Sequence, residues 1–240
     1  TGITFSYLRR YDEALKYMEA AHKLEPDDYW AKSYLSELAL QMNGDTDRAA
    51  SLMVGAQHTN DMSFLIRYWV TQMMTGHFDA ALDTAQNWSV DWEIDLKRFS
   101  LRESLIAMSM KALGRDAEAL EYAQESLNRL AQMKQQGLDD YRVAAAEAEA
   151  YAILSDQQKV SELVEKVLTT KPVDALEDFL IKYRIAQSYG HAGMPDESIA
   201  TIEALFSGVS PVSVPWLELD PAFNSIRDNP EFIALLERHR

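Results

Sequence analysis

Apolar and small residues return along this chain at a spacing of four and then three, with charged residues between them. Ala14, Met18 and Ala21 begin the series; Ala49, Met53 and Ala56, Ala81, Ala85 and Trp88, Ala119, Ala123 and Ser126, and Val160, Val164 and Val167 continue it. Each trio falls on one face of a helix, the face that meets a neighbouring helix. Ser198 opens a sixth unit. Gly44, Gly76, Gly114 and Gly193 stand shortly before four of these helices, each followed by a polar or capping segment: Asp45, His77-Phe78-Asp79, Arg115-Asp116 and Met194-Pro195-Asp196. Glycine supplies the positive φ that a tight helix-to-helix turn demands, and Asp45 can cap the N–H groups that follow. The pattern predicts helix hairpins.

The second unit pairs a helix from about Asp28 to Met42, carrying Trp30, Leu35, Leu38 and Ala39, with one from Asp45 to about Gln57. Between the markers Ala14, Ala49, Ala81, Ala119, Val160 and Ser198 the units measure 35, 32, 38, 41 and 38 residues. Periods of this size mark a repeat array, whose core runs along a stack of helix pairs. The longer units call for extra helical turns, placed at Asp91–Leu113 and Ala117–Gln136. Beyond Phe206 the pattern changes. Ser207-Gly208 through Pro215 looks like loop, Asp220-Pro221 like a turn, and Asn229-Pro230-Glu231 like the cap of a closing helix from about Pro230 to Arg238. Two segments are therefore expected: residues 1–206 as the array, its first repeat truncated, and residues 207–240 as a loop and capping helix packed on the last repeat.

These markers resemble the tetratricopeptide repeat. Gly2, Phe5, Tyr11, Ala14, Met18, Ala21 and Pro26 match the small, large, small and proline positions of one such unit, and Pro172 closes the fifth as Pro26 closes the first, with Tyr151 and Tyr189 in the place of Phe5. The resemblance implies an all-α, right-handed superhelical solenoid of about six degenerate hairpins with a short C-terminal capping helix. Pro215-Trp216-Leu217, Leu219-Asp220-Pro221-Ala222-Phe223, Ile226-Arg227-Asp228-Asn229-Pro230, Phe232 and Leu235-Leu236 are similar to the end of repeat regions attached to bacterial signalling proteins. Those include winged-helix regulators, nucleotide cyclases and serine/threonine kinases. The similarity implies an effector domain before Thr1, the first unit lacking its opening half.

Charge narrows the partners. The formal net charge is −15, from 38 acidic and 23 basic residues, which repels phosphate backbones and anionic lipid. No direct nucleic-acid binding is expected. Arg9-Arg10 and Lys97, Arg98 and Arg102 are small basic groups beside carboxylates and fit solvated helix faces. No apolar run reaches the roughly 18 to 20 residues that span a bilayer, so no membrane insertion of this segment is expected. The absence of cysteine excludes disulfides and thiolate chemistry and leaves the compartment open, cytoplasmic ahead of periplasmic.

Catalytic and cofactor patterns are not found. His22, His58, His77, His191 and His239 are scattered without metal-ligand spacing and fit surface or turn positions. Gly44-Asp45-Thr46-Asp47 lacks the later ligands of a calcium loop and fits a helix cap. There is no glycine-rich phosphate loop and no nucleophile elbow. No catalytic residue, cofactor or metal is expected. Trp30, Trp69, Trp88, Trp92 and Trp216 fit packing wedges, and Met73, Met74, Met108 and Met110 suit either core or an adaptable groove.

In the tetratricopeptide family the first helices line a concave groove, and the resemblance places Tyr34, Leu38, Ile66, Val70, Met73, Met108, Lys111, Glu149, Tyr183 and Gln187 there. This lining departs from the lysine, asparagine and arginine set that holds chaperone tails. The expected function is a regulatory module that binds a peptide or protein in this groove. Two alternatives stand beside it: a self-association scaffold pairing copies of the chain, and a small-molecule sensor. Tight superhelical closure or an enclosed Trp/Tyr-lined cavity is the feature that favours the sensor.

Overall fold

The computed structural model describes residues 1–56, 61–90, 92–94, 99–171 and 174–240. Gln57, His58, Asp91, Lys97, Arg98 and Pro172, all used above, lie outside the described residues. The fold is all-α apart from one short ribbon. In chain order the helices are α1 (Gly2–Tyr7), α2 (Tyr11–Leu24), α3 (Tyr29–Asn43), α4 (Thr46–Leu52), α5 (Met62–Met74), α6 (Phe78–Gln86) and α7 (Arg102–Ala112). There follow α8 (Asp116–Gln135), α9 (Tyr141–Ile153), α10 (Gln157–Thr170), α11 (Ala175–His191), α12 (Pro195–Ser207), α13 (Val214–Leu219) and α14 (Pro230–His239), with a 3-10 turn at Pro221–Ile226.

One turn geometry recurs. Arg9, Gly44, Gly76, Gly114, Ser155 and Gly193 all have positive φ, between 54° and 77°. Each directly precedes the N-cap of the second helix of a pair: Arg10, Asp45, His77, Arg115, Asp156 and Met194. In five of these turns the N-cap N–H donates to the carbonyl five residues back, as Arg10 to Phe5 and Asp156 to Tyr151; Asp45 reaches six back, to Ala39. This bond closes the end of the first helix and starts the second in the reverse sense. Arg9 and Ser155 hold a conformation that favours glycine, at a cost of about 1–2 kcal/mol each.

The helices pack in series. α1 meets α2, α2 meets α3, α3 meets α5, and so on through α9 and α11 to α12 and α14. The small positions form the contacts: Ala14, Ala49, Ala81, Ala119, Val160 and Ser198 are all fully buried, as a close helix approach requires. Ala21 is the exception and is exposed near the end of α2. α4 stops at Leu52, short of the expected Gln57, and Met53 and Ala56 are buried in the turn beyond it.

The expected helix over Asp91–Leu113 is corrected. Among the described residues of this span only Arg102–Ala112 is helical, and β1 (Trp92–Ile94) pairs antiparallel with β2 (Phe99–Leu101), Trp92 opposite Leu101 and Ile94 opposite Phe99. Phe99 and Leu101 are buried with Leu130, Met133 and Val143, so the ribbon fills the extra length of the long α8.

The tail does more than cover the last pair. Phe223, Phe232, Leu235 and Leu236 bury against α11 and α12, but Trp216 and Leu219 pack on Ala39, Leu40 and Met74 of the second and third pairs. Tyr7, from α1, joins the C-terminal core and lies 5.2 Å from Phe179, ring centre to ring centre. The two ends of the chain thus share one core.

Candidate functional site: a cavity between the chain ends

A cavity of ≈ 220 Å³ lies where these elements converge. Its walls come from α1, α2, α3, α5, α7, α11 and the tail. An engineered apolar cavity of about 150 Å³ holds benzene, so this volume takes roughly ten non-hydrogen atoms. Aromatic and thioether side chains are prominent in the lining, Tyr7, Tyr34, Trp69, Tyr183 and Trp216 beside Met18, Met73, Met74 and Met108.

The polar groups fall into two sets. On the first, Arg67 of α5 pairs with Glu37 of α3, and its guanidinium lies 4.2 Å above the Tyr34 ring and 5.4 Å from that of Trp30. Burial works against the charge on Arg67, yet Glu37, the neighbouring tyrosines and the hydrogen bond to Glu37 raise its pKa further. Tyr7 stands close by; burial and then the negative field of Glu37 push its phenol up to about 12. Gln41 completes this set, its Oε1 accepting from Ser6 Oγ at 2.8 Å.

Asp220 organises the second set. It is 3% exposed and caps the 3-10 turn, Oδ1 accepting from the Ala222 N–H at 2.9 Å. Its Oδ2 accepts from Gln187 Nε2 at 2.7 Å and from the Tyr183 hydroxyl, which in turn accepts from Trp216 Nε1 at 2.7 Å. His191 lines the same wall, and burial holds its imidazole below the usual histidine pKa although Asp220 and Glu149 pull the other way. Burial therefore favours the neutral ring. Arg184 reaches the cavity from α11 with its charge matched behind, Nε and Nη2 donating to Glu149 at 2.6 and 2.7 Å.

Arg9 fastens the first helix turn to the end of α12. Its Nη1 donates to the carbonyls of Leu205 and Ser210 at 3.3 and 3.2 Å, and its Nη2 to those of Phe206 and Gly208 at 2.7 and 3.1 Å. The Tyr11 hydroxyl donates to the Pro211 carbonyl at 3.2 Å. Arg9 is thus a clasp, where a solvated helix face was expected. The positive charge also meets the carbonyl end of α12, where the helix dipole is negative.

Of the ten residues assigned to a groove, Tyr34, Val70, Met73, Met108, Tyr183 and Gln187 line this cavity. The other four do not. Leu38 is 1% exposed in the core with Ala14, Met18 and Leu35, because the cavity lies one turn away on α3, along Tyr34, Glu37 and Gln41. Ile66 packs against the core built on Trp69 and Leu105. Lys111 pairs with Asp116 at 2.9 Å on the outside of the α7–α8 turn, and Glu149 is held behind the wall by Arg184. His191, expected at the surface, lines the wall instead. Tyr7, Glu37, Gln41, Arg67, Arg184, His191, Trp216 and Asp220 were not assigned. Arg67 did carry a signal, the one charge within the apolar run from Phe64 to Met74.

No group of potential metal ligands occurs among the described residues, and no described helix is long and apolar enough to cross a membrane. No family model matches the chain, and no curated protein matches it.

Proposed function

We propose that this chain is a non-catalytic, tetratricopeptide-like regulatory module, a tightly closed superhelical array of helix hairpins, that senses a small molecule in the cavity between its ends. The observation that supports this is the closure itself: Arg9 bonds four carbonyls around the end of α12, and Tyr7 and Trp216 supply opposite ends of the chain to one wall. Concave, largely apolar cavities with a few convergent polar groups suit small ligands. A peptide lying along a concave groove has less support, because Tyr34, Val70, Met73 and Met108, assigned to that groove, share one cavity with Pro211, Val212 and Trp216 of the tail. A ligand touching both ends would stabilise the closed form and so alter how the module presents itself to an attached effector or a protein partner.

A thermal-shift screen of a metabolite panel tests this, run on the native chain and on Val70→Trp, which fills the cavity. At a ligand concentration one hundred times Kd the native state gains about 2.7 kcal/mol, a shift of roughly 5–10 °C for a chain of this size. The expected result is such a shift for some compounds in the native chain and its loss in Val70→Trp. Equal shifts in both, or binding of extended peptides alone, would overturn the reading.

A further inference from the structure

The chemistry of the cavity also limits what it takes, provided that it is a ligand site as proposed. Its charges are largely spoken for. Arg67 is matched by Glu37 and Arg184 by Glu149, while Asp220 has no cationic partner among the described residues. An anionic ligand would have to share one of two cations already held by carboxylates, and would meet Asp220 and Glu37 across a cavity of low dielectric.

Three neutral groups, by contrast, remain unspent. The His191 imidazole makes no hydrogen bond to any described residue, although it lines the cavity as one donor and one acceptor. Gln187 donates to Asp220, but its Oε1 accepts from no described residue. Gln41 accepts from Ser6, and its Nε2 likewise has no described acceptor. All three residues stand in the cavity wall, Gln41 at 5% exposure, so a ligand in the cavity can take the place of water at these atoms. Buried polar groups are hydrogen-bonded as a rule. A ligand that meets them offers both donors and acceptors, and it lies among the aromatic side chains of Tyr7, Tyr34, Trp69 and Trp216, which favour flat rings and positive charge over negative.

The geometry points to a flat nitrogen heterocycle of roughly ten non-hydrogen atoms, uncharged or singly positive, with donors and acceptors on its rim, as the ligand class of this cavity. His191, Gln187 and Gln41 read its rim, and the aromatic side chains hold its faces.

Titration calorimetry with a matched charge series tests the class: nicotinamide, its N-methyl cation, nicotinate, adenine and the acyclic anion succinate. Nicotinamide and nicotinate are nearly the same size and shape, so charge alone separates them. The expected result is binding of adenine or of the nicotinamide pair at least tenfold tighter than of nicotinate, with no measurable succinate binding. His191→Phe should weaken the heterocycle at least tenfold, and Gln41→Leu should do so independently if the first variant fails to fold by circular dichroism. Nicotinate or succinate binding more tightly than the neutral rings overturns the ligand class while leaving the cavity as a sensor site. Failure of all five probes overturns the class too, and a metabolite panel that then stabilises the native chain but not Val70→Trp shows that the sensor reading survives it.

Discussion

The guanidinium of Arg9 donates to the carbonyl of Phe206 at 2.7 Å, joining the first turn of the chain to the end of α12. Arg9 also has φ 54°, so its backbone would be easier as glycine while its side chain would be lost. Arg9→Gly therefore isolates the clasp. Charge-assisted hydrogen bonds contribute about 1.5–3 kcal/mol, and relief at positive φ returns part of that. The expected outcome is a net loss of about 1–2 kcal/mol in urea denaturation, with weaker ligand binding. A gain in stability would mean that the clasp contributes nothing.

Gly190 sets how closely the tail approaches α11. A Cβ placed there would lie 2.6 Å from the Ala222 carbonyl oxygen and 3.1 Å from the Phe223 ring. Within a helix, glycine to alanine ordinarily stabilises by up to about 1 kcal/mol. Here the backbone contact reverses the sign. Gly190→Ala should lower stability by about 1–3 kcal/mol, as overpacking does, measured by denaturant midpoint. It should also disturb the Asp220 set, since Asp220 caps the displaced 3-10 turn two residues before Ala222.

Glu149 and Arg184 are 8% and 7% exposed and bonded through two parallel contacts. Removing one partner strands a buried charge. Glu149→Leu or Arg184→Met should each cost about 3–5 kcal/mol, and the double variant should recover much of that loss, because the desolvation of both ions is removed together. A double-mutant cycle by urea melting checks this. Simple additivity of the two losses would show that the pair is not coupled.

Tyr7 and Tyr11 both have phenols pushed up to about 12, chiefly by burial. An unfolded tyrosine ionises near pH 10. Below pH 10 both states are neutral and the stabilisation is complete; between about pH 10 and 12 only the unfolded chain releases its protons, and stability falls. Since these residues join the chain ends, the loss should appear there first. Urea midpoints measured from pH 8 to 11.5 should fall steeply above pH 10, and less steeply in Tyr7→Phe. A flat profile would place both phenols in water.

The serial helix pairs were legible because each depends on local chemistry. Gly44, Gly76, Gly114 and Gly193 announce their turns through the conformation they allow, and Ala14, Ala49, Ala81 and Ala119 announce close contact by size. Arg9 and Ser155 perform the same turn without a glycine, so only the regular spacing betrayed them. The ribbon was not legible: Trp92-Glu93-Ile94 and Phe99-Ser100-Leu101 are short apolar runs that fit a helix or a strand equally well. Half of the cavity was hidden for another reason. Tyr34, Val70 and Met73 came from the resemblance to the repeat family, but Arg9 meets Phe206 and Tyr7 meets Phe179 across most of the length of the chain, and no local pattern records such a contact.

The central claim is that one cavity, walled by both ends of the chain, holds the ligand. Hydrogen exchange with and without a compound that raises the melting temperature tests it most directly, read at the amides of Gly2–Tyr7 and Val214–Leu219. The expected result is that both segments, distant in sequence, slow together by a similar factor, and that Arg9→Gly uncouples them. Protection confined to α5 and α7, with both ends unchanged, would contradict the claim and return the site to an open groove.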